Sequence, residues 1–106
     1  QTAKRLEKSL LDAAKKNGIS LQVNRFGSMM NPFFTKEKVV DFKTAQTSNT
    51  ELFKIFFWAM IDNGVFLPPS QFEAWFLCSE LSEKDLIKTE KAIYKAMKAV
   101  ANIHKT

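Results

Sequence analysis

At Asn17-Gly18 the spacing of apolar residues changes period, and no other feature of the chain constrains its fold as much. Before it, Ala3, Leu6, Leu10, Ala13 and Ala14 recur at steps of three and four, the period of an amphipathic helix. After it, Ile19, Leu21 and Val23 alternate with Ser20, Gln22 and Asn24, the period of a half-buried strand. Asn-Gly supplies the left-handed stop between them. A helix that hands over directly to a strand calls for a layer of helices packed on a sheet.

The remaining punctuation extends that plan. Gly27-Ser28 suits a two-residue hairpin turn, with Met29 to Phe34 returning as a second strand. Pro32 cannot donate to a ladder, so this strand is expected at an edge or at a bulge. Thr35 to Thr47 follows neither period and reads as a long loop that packs through Val39, Val40 and Phe42. Ser48 and Glu51 form an S-x-x-E capping box ahead of a second helix, which Asn63-Gly64 closes. That helix carries Phe53, Phe57 and Trp58 as well as its core stripe, so part of its surface is expected to meet a partner or another domain. Val65 to Leu67 and Ala74 to Leu77 read as two short strands around the rigid Pro68-Pro69-Ser70. Ser82 with Asp85 then caps a last helix whose stripe is Leu86, Glu90, Ile93, Met97 and Val100. The predicted class is α+β, a small antiparallel sheet with its helices on one face.

With 106 residues, 45% of them hydrophobic, the chain has material for one domain and one core. It has no apolar run of the roughly 18 residues a membrane span needs and no signal-peptide segment at its start, so a soluble, cytosolic protein is expected. The net charge of +5 comes from 16 basic and 11 acidic residues. The basic residues are mixed with acids, as in TKEKVVDFK and SEKDLIKTEK, and form no stripe interleaved with aromatics. Neither a nucleic-acid nor a membrane partner is therefore expected.

The chemistry carried by the residues themselves is sparse. The three glycines are explained by turns and helix stops, which leaves no phosphate loop. Cys78 reads as a buried hydrophobe and His104 as a solvated tail residue, with no neighbours at metal-ligand spacing. Two features stand apart. Asn24-Arg25 precedes the hairpin, where Arg25 is expected to face water or pair with a nearby acid. Glu73 lies inside FLPPSQFEAWFLCSE, a run otherwise almost wholly apolar, and reads either as a solvated acid at a strand edge or as a group facing something that needs it.

Three segments resemble one family. VNRFGSMMNPFFT, NTELFKIFFWAMIDNGVFLPPSQFEAWF and SEKDLIKTEKAI are similar, in that order, to the glutamate-1-semialdehyde 2,1-aminomutase family, a group of class III pyridoxal-phosphate aminotransferases. The resemblance implies that residues 1–106 are the C-terminal small domain of a longer enzyme, with the fold of fold-type I pyridoxal-phosphate transferases. It implies conversion of glutamate-1-semialdehyde to 5-aminolevulinate for tetrapyrrole synthesis. It also implies pyridoxal 5'-phosphate held by an absent large domain, and as partners that large domain and the second subunit of a homodimer. The catalytic lysine would lie in the large domain, so the fragment alone is expected to be inactive and none of the lysines here is assigned to the cofactor. Glu73 matches the glutamate of the family's Phe-Glu-Ala motif and is the one residue carried over as an active-site group. Trp75 stands where the family usually has glycine, and a ring of that size is expected to narrow the site or change how the strand sits. Two other readings stay open: a free-standing basic α+β binding module, and the small domain of another class III aminotransferase.

Overall fold

The computed structural model describes residues 2–26, 29–45, 48–68, 70, 75–76 and 82–104, without the side chains of residues 42, 45, 76 and 104. The elements are α1 (Thr2–Lys16), β1 (Gln22–Phe26), β2 (Met29–Phe33), α2 (Phe42–Ala45), α3 (Thr50–Asp62), β3 (Trp75–Phe76) and α4 (Glu83–His104). The strands form an antiparallel sheet in the order β1-β2-β3. α4 packs against both α1 and α3, and α1 lies on the sheet. The expected α+β arrangement is the one observed.

Both Asn-Gly pairs end their helices in the same way. Gly18 and Gly64 take φ of +69° and +82°, a region open to glycine at no steric cost. The amide of Ile19 then reaches back to the Ala14 carbonyl, and that of Val65 to the Met60 carbonyl, at 2.8 and 2.9 Å. Asn17 and Asn63 each add a side-chain bond, to the carbonyls of Ala13 and Ala59, at 2.8 Å. The carbonyls left over at each helix end are thereby satisfied. Ile19 and Val65, the first residues past the stops, turn inward onto the core.

Side chains on the sheet alternate as its pleat requires. Met30, Pro32 and Phe34 point toward the helices and are buried, whereas Phe33 points the other way and packs on Val39. The core between sheet and helices is built from Leu6 and Leu10 of α1, Phe56 and Met60 of α3, and Ile93 and Met97 of α4. Phe56 is its centre: Phe34 meets it tilted at 5.7 Å, and Trp75 lies nearly parallel to it at 6.3 Å.

Four local expectations change. β2 is the middle strand, not an edge; the described part of β3 pairs only with Met29 and Met30, which leaves Pro32 beyond that pairing. The N-cap of α3 is Asn49, whose Oδ1 accepts from the amides of Glu51 and Leu52 at 3.0 and 3.1 Å, while Ser48 is buried with its hydroxyl unpartnered. Asn49 wins because its own amide is fixed to the Phe34 carbonyl at 2.8 Å, which aims its side chain at the helix. The segment expected as a loop contains α2, whose first turn is closed reciprocally. The Thr44 amide donates to Asp41 Oδ1 and the Asp41 amide to Thr44 Oγ1, and the Thr44 amide, followed by the Thr44 hydroxyl, both donating to Asp41 Oδ1, hold the Asp41 carboxyl below its usual range. Val39 is buried as expected, but Val40 is 70% exposed. Val65–Leu67 forms no strand: Val65 and Leu67 lean on the core, Phe66 faces solvent, and among the described residues no strand pairs with them.

Candidate functional site

Glu73 lies outside the described residues, as does Cys78. The ground on either side of Glu73 is defined. Upstream, the Val65 amide is bonded to the end of α3, and Val65 and Leu67 pack on the core. Downstream, Trp75 is paired with Met30 in the sheet and its ring is 4% exposed, stacked on Phe56. The Trp75 ring is thus a core group, and its bulk is taken up between sheet and helices. Among the described residues its indole N–H finds no hydrogen-bond partner, an energetic liability that the stacking and burial have to outweigh.

Arg25 pairs with an acid, as expected: its Nε donates to Glu7 Oε1 of α1 at 3.0 Å. A second ionic cluster was missed by sequence reasoning. Arg5 of α1 binds Glu90 of α4 through two nitrogens, at 3.1 and 2.8 Å, and Glu83 at 2.8 Å, while Ser9 Oγ donates to Glu90 at 2.9 Å. The Arg5 hydrogen bond is the main cause holding the Glu90 carboxyl below its usual value, and the pair with Glu90, followed by that with Glu83, raises Arg5. The signal was present in the last helix, because Glu90 occupies a position in an otherwise apolar stripe and needs a partner there. The cluster lines an open groove between α1 and α4 and holds the two helices in register. Its one hydroxyl, Ser9 Oγ, is taken up by Glu90, and both of its carboxylates already have partners.

The described residues do not suit a pyridoxal-phosphate site. Every described lysine is exposed, whereas a lysine bonded to such a cofactor has to be enclosed with it. The N-termini of α3 and α4 are closed by Asn49 and Ser82, whose side chains occupy the amides that would cradle a phosphate. Among the described residues no group of three His, Cys, Asp or Glu side chains converges for a metal. No described helix is long and apolar enough to cross a membrane.

The apolar excess of α3 is placed as expected. Phe53 and Phe56 are buried, while Trp58 is 55% exposed on the opposite side, edge-on to a half-buried Phe57.

Comparison with known proteins gives the ancestry. The chain is 48% identical over 98 residues to glutamate-1-semialdehyde 2,1-aminomutase of Thermodesulfovibrio yellowstonii, a match covering 92% of this chain and 23% of that protein. It is a relative of the glutamate-1-semialdehyde 2,1-aminomutases. The aminomutase of Thermus thermophilus is 46% identical over 93 residues, covering 88% of this chain and 22% of its own length. Glutamate-1-semialdehyde 2,1-aminomutase 2 of Oceanobacillus iheyensis is 48% identical over 89 residues, or 84% of this chain and 21% of that protein. The chain therefore spans less than a quarter of the length of these aminomutases. No family model matches it. An omega-transaminase from Sphaerobacter thermophilus contains the same fold, with a TM-score of 0.79 at 14% identity, over 93% of this chain and 23% of that one.

Proposed function

We propose that this chain is the C-terminal small domain of a longer, pyridoxal-phosphate-dependent glutamate-1-semialdehyde 2,1-aminomutase. The observation that carries the reading is the match itself: 48% identity across 92% of the chain, against 23% of the relative. A stretch related over nearly its whole length to a fraction of an enzyme has the relation of a domain to its parent. In this reading the parent converts glutamate-1-semialdehyde to 5-aminolevulinate by moving an amino group between adjacent carbons, and does so in the cytoplasm as a homodimer. The large domain holds the cofactor, in keeping with the exposed lysines and closed helix ends described above. The exposed side of α3 around Trp58 faces the large domain or the second subunit.

Glu73 is the contribution of this domain to the active site. Trp75, two residues on, is anchored in the core, and Val65 to Leu67 are anchored on the other side. The role of Glu73 in this reading is to orient a substrate amine or to steady a positive charge.

The test uses the native polypeptide that carries this sequence. It is expected to be several times longer than this chain, to show a pyridoxal or pyridoxamine chromophore, and to form 5-aminolevulinate without an added amino donor. Glu73→Gln is expected to cut turnover with the chromophore and thermal stability retained. An unchanged rate would remove Glu73 from the site, and a native polypeptide no longer than this chain would remove the aminomutase reading altogether.

A further inference from the structure

The two helix stops share a dipeptide and a hydrogen-bond pattern, but not their surroundings. In each, the asparagine side chain donates to a carbonyl of the last turn at 2.8 Å. The glycine amide donates to another, Gly18 to the Lys15 carbonyl at 3.2 Å and Gly64 to the Ile61 carbonyl at 2.9 Å. Both glycines are exposed. At Gly18 the position a Cβ would take has nothing within 4 Å. At Gly64 the same position is 3.1 Å from Lys88 Nζ and 3.2 Å from Lys88 Cε, so an amine of α4 lies against the Asn63-Gly64 turn. Among the described residues no carboxylate comes within ion-pair distance of that amine. Asn63 also borders an open concavity of about 610 Å³, together with Lys84, Lys88 and Lys91, and water reaches it there.

We propose that Asn63-Gly64 is a covalent modification site, at which Lys88 promotes spontaneous deamidation. The Gly64 nitrogen loses its proton and attacks Asn63 Cγ; the new N–C bond closes a five-membered imide, and ammonia leaves. Water then opens the imide at either carbonyl to give aspartate or isoaspartate, so the net change is amide plus water to carboxylate plus ammonium. Glycine leaves the attacking nitrogen unhindered. Negative charge develops on that nitrogen and then on the oxygen of the tetrahedral intermediate, and an ammonium held beside the turn lowers the energy of both. The turn has to open first, because its hydrogen bonds hold the Gly64 amide and the Asn63 carboxamide on carbonyls of α3, and helix ends are where a fold opens most readily. Closure alone would give the opposite order of rates. The Gly64 amide has the shorter bond of the two, which protects Asn63 better than Asn17. The product is also accommodated: a carboxylate at the end of α3 is opposed by the helix dipole, and Lys84, Lys88 and Lys91 offset that. Isoaspartate at this position would lengthen the main chain just ahead of Val65 and Leu67, where it passes onto the core.

Asn17-Gly18 is the internal control. The native polypeptide that carries this sequence is aged folded at neutral pH, and aspartate and isoaspartate at both positions are read by peptide mass spectrometry. Asn63 is expected to deamidate about fivefold faster than Asn17, the effect of one unit charge at contact distance in water. In guanidinium chloride the two rates should converge, since both asparagines precede glycine and the fold no longer brings Lys88 to either. Lys88→Met keeps the stem and discards the charge. It should bring the Asn63 rate down to that of Asn17 or below, with the Asn17 rate and the unfolding midpoint unchanged. Three results would each overturn the proposal: Asn17 as the faster site in the folded protein, a preference for Asn63 that persists in denaturant, or an Asn63 rate indifferent to Lys88→Met. Two intact asparagines in the folded protein, after the denatured one has lost both amides, would overturn it as well. The inference does not depend on the aminomutase reading, because a native polypeptide of any length serves for the experiment.

Discussion

Replacing Trp75 by glycine separates a core role for the ring from an active-site role. The ring is 4% exposed and stacked at 6.3 Å on Phe56, so its removal opens a cavity at the centre of the fold. Truncating a buried tryptophan to alanine costs about 3–5 kcal/mol, and glycine in a strand adds about 0.5–1 kcal/mol. Against this, the unpartnered indole N–H disappears, which returns about 1–3 kcal/mol. The net loss expected is about 3 kcal/mol, or a fall of roughly 10–25 °C in the midpoint of a domain of this size. Trp75→Phe keeps a ring on Phe56 and discards the N–H, and should stay within about 1 kcal/mol of the parent. Urea and thermal unfolding of the 106-residue chain, followed by far-ultraviolet circular dichroism, give both values. If Trp75→Gly costs less than about 1 kcal/mol and instead changes KM in the full-length enzyme, the ring belongs to the site and the core assignment is wrong.

Two further perturbations test the packing around the sheet and between the helices. Asn49→Ala should cost about 1 kcal/mol through the lost cap of α3, whereas Ser48→Ala should be neutral or slightly stabilising because the Ser48 hydroxyl is buried without a partner. Urea midpoints in the reverse order would move the cap back to Ser48. Glu90 has its carboxyl lowered by Arg5, so its contribution is present above the ordinary carboxylate range and is lost as pH falls through the depressed value. The stability difference between the parent and Glu90→Gln should therefore shrink toward acid pH. A difference that widens in acid would contradict the ion pair.

The helices were legible because their period and their stops agree. The Asn-Gly pairs at 17–18 and 63–64 name both the end of each helix and the mechanism that ends it. Strand order was not legible. Whether β2 is an edge depends on Trp75 and Phe76 finding Met29 and Met30, a pairing across more than forty positions that no local pattern specifies, and Pro32 tolerates the middle strand because that pairing stops short of it. Ser48 and Asn49 are both good caps, and the choice between them is made by a tertiary bond from Asn49 to Phe34. The alternation at Val65–Leu67 was real, yet alternation records which side chains are inward and says nothing of a partner strand. The reciprocal Asp41/Thr44 turn could have been read from its D-x-x-T spacing. Of the candidate site, residue types alone left Glu73 undecided, and the role proposed for it rests on the resemblance to the aminomutases.

Exposed charge and exposed aromatics are distributed differently over the described residues, and the difference bears on what the basic composition means. α1 and α4 carry exposed Lys4, Lys8, Lys15, Lys91, Lys95 and Lys98, but they also carry the acids that Arg5 and Arg25 bind. These helices present a mixed, hydrated surface, which keeps a protein soluble without forming a track for a phosphate backbone. The exposed aromatics lie elsewhere: Phe26 at the hairpin, Trp58 on the outer side of α3 and Phe66 beyond it. A free-standing module of this size would be expected to spread polar groups over all its faces, because bare aromatic patches promote association. On the proposed reading of the chain as one domain of a longer enzyme, Phe26, Trp58 and Phe66 mark the sides its parent covers.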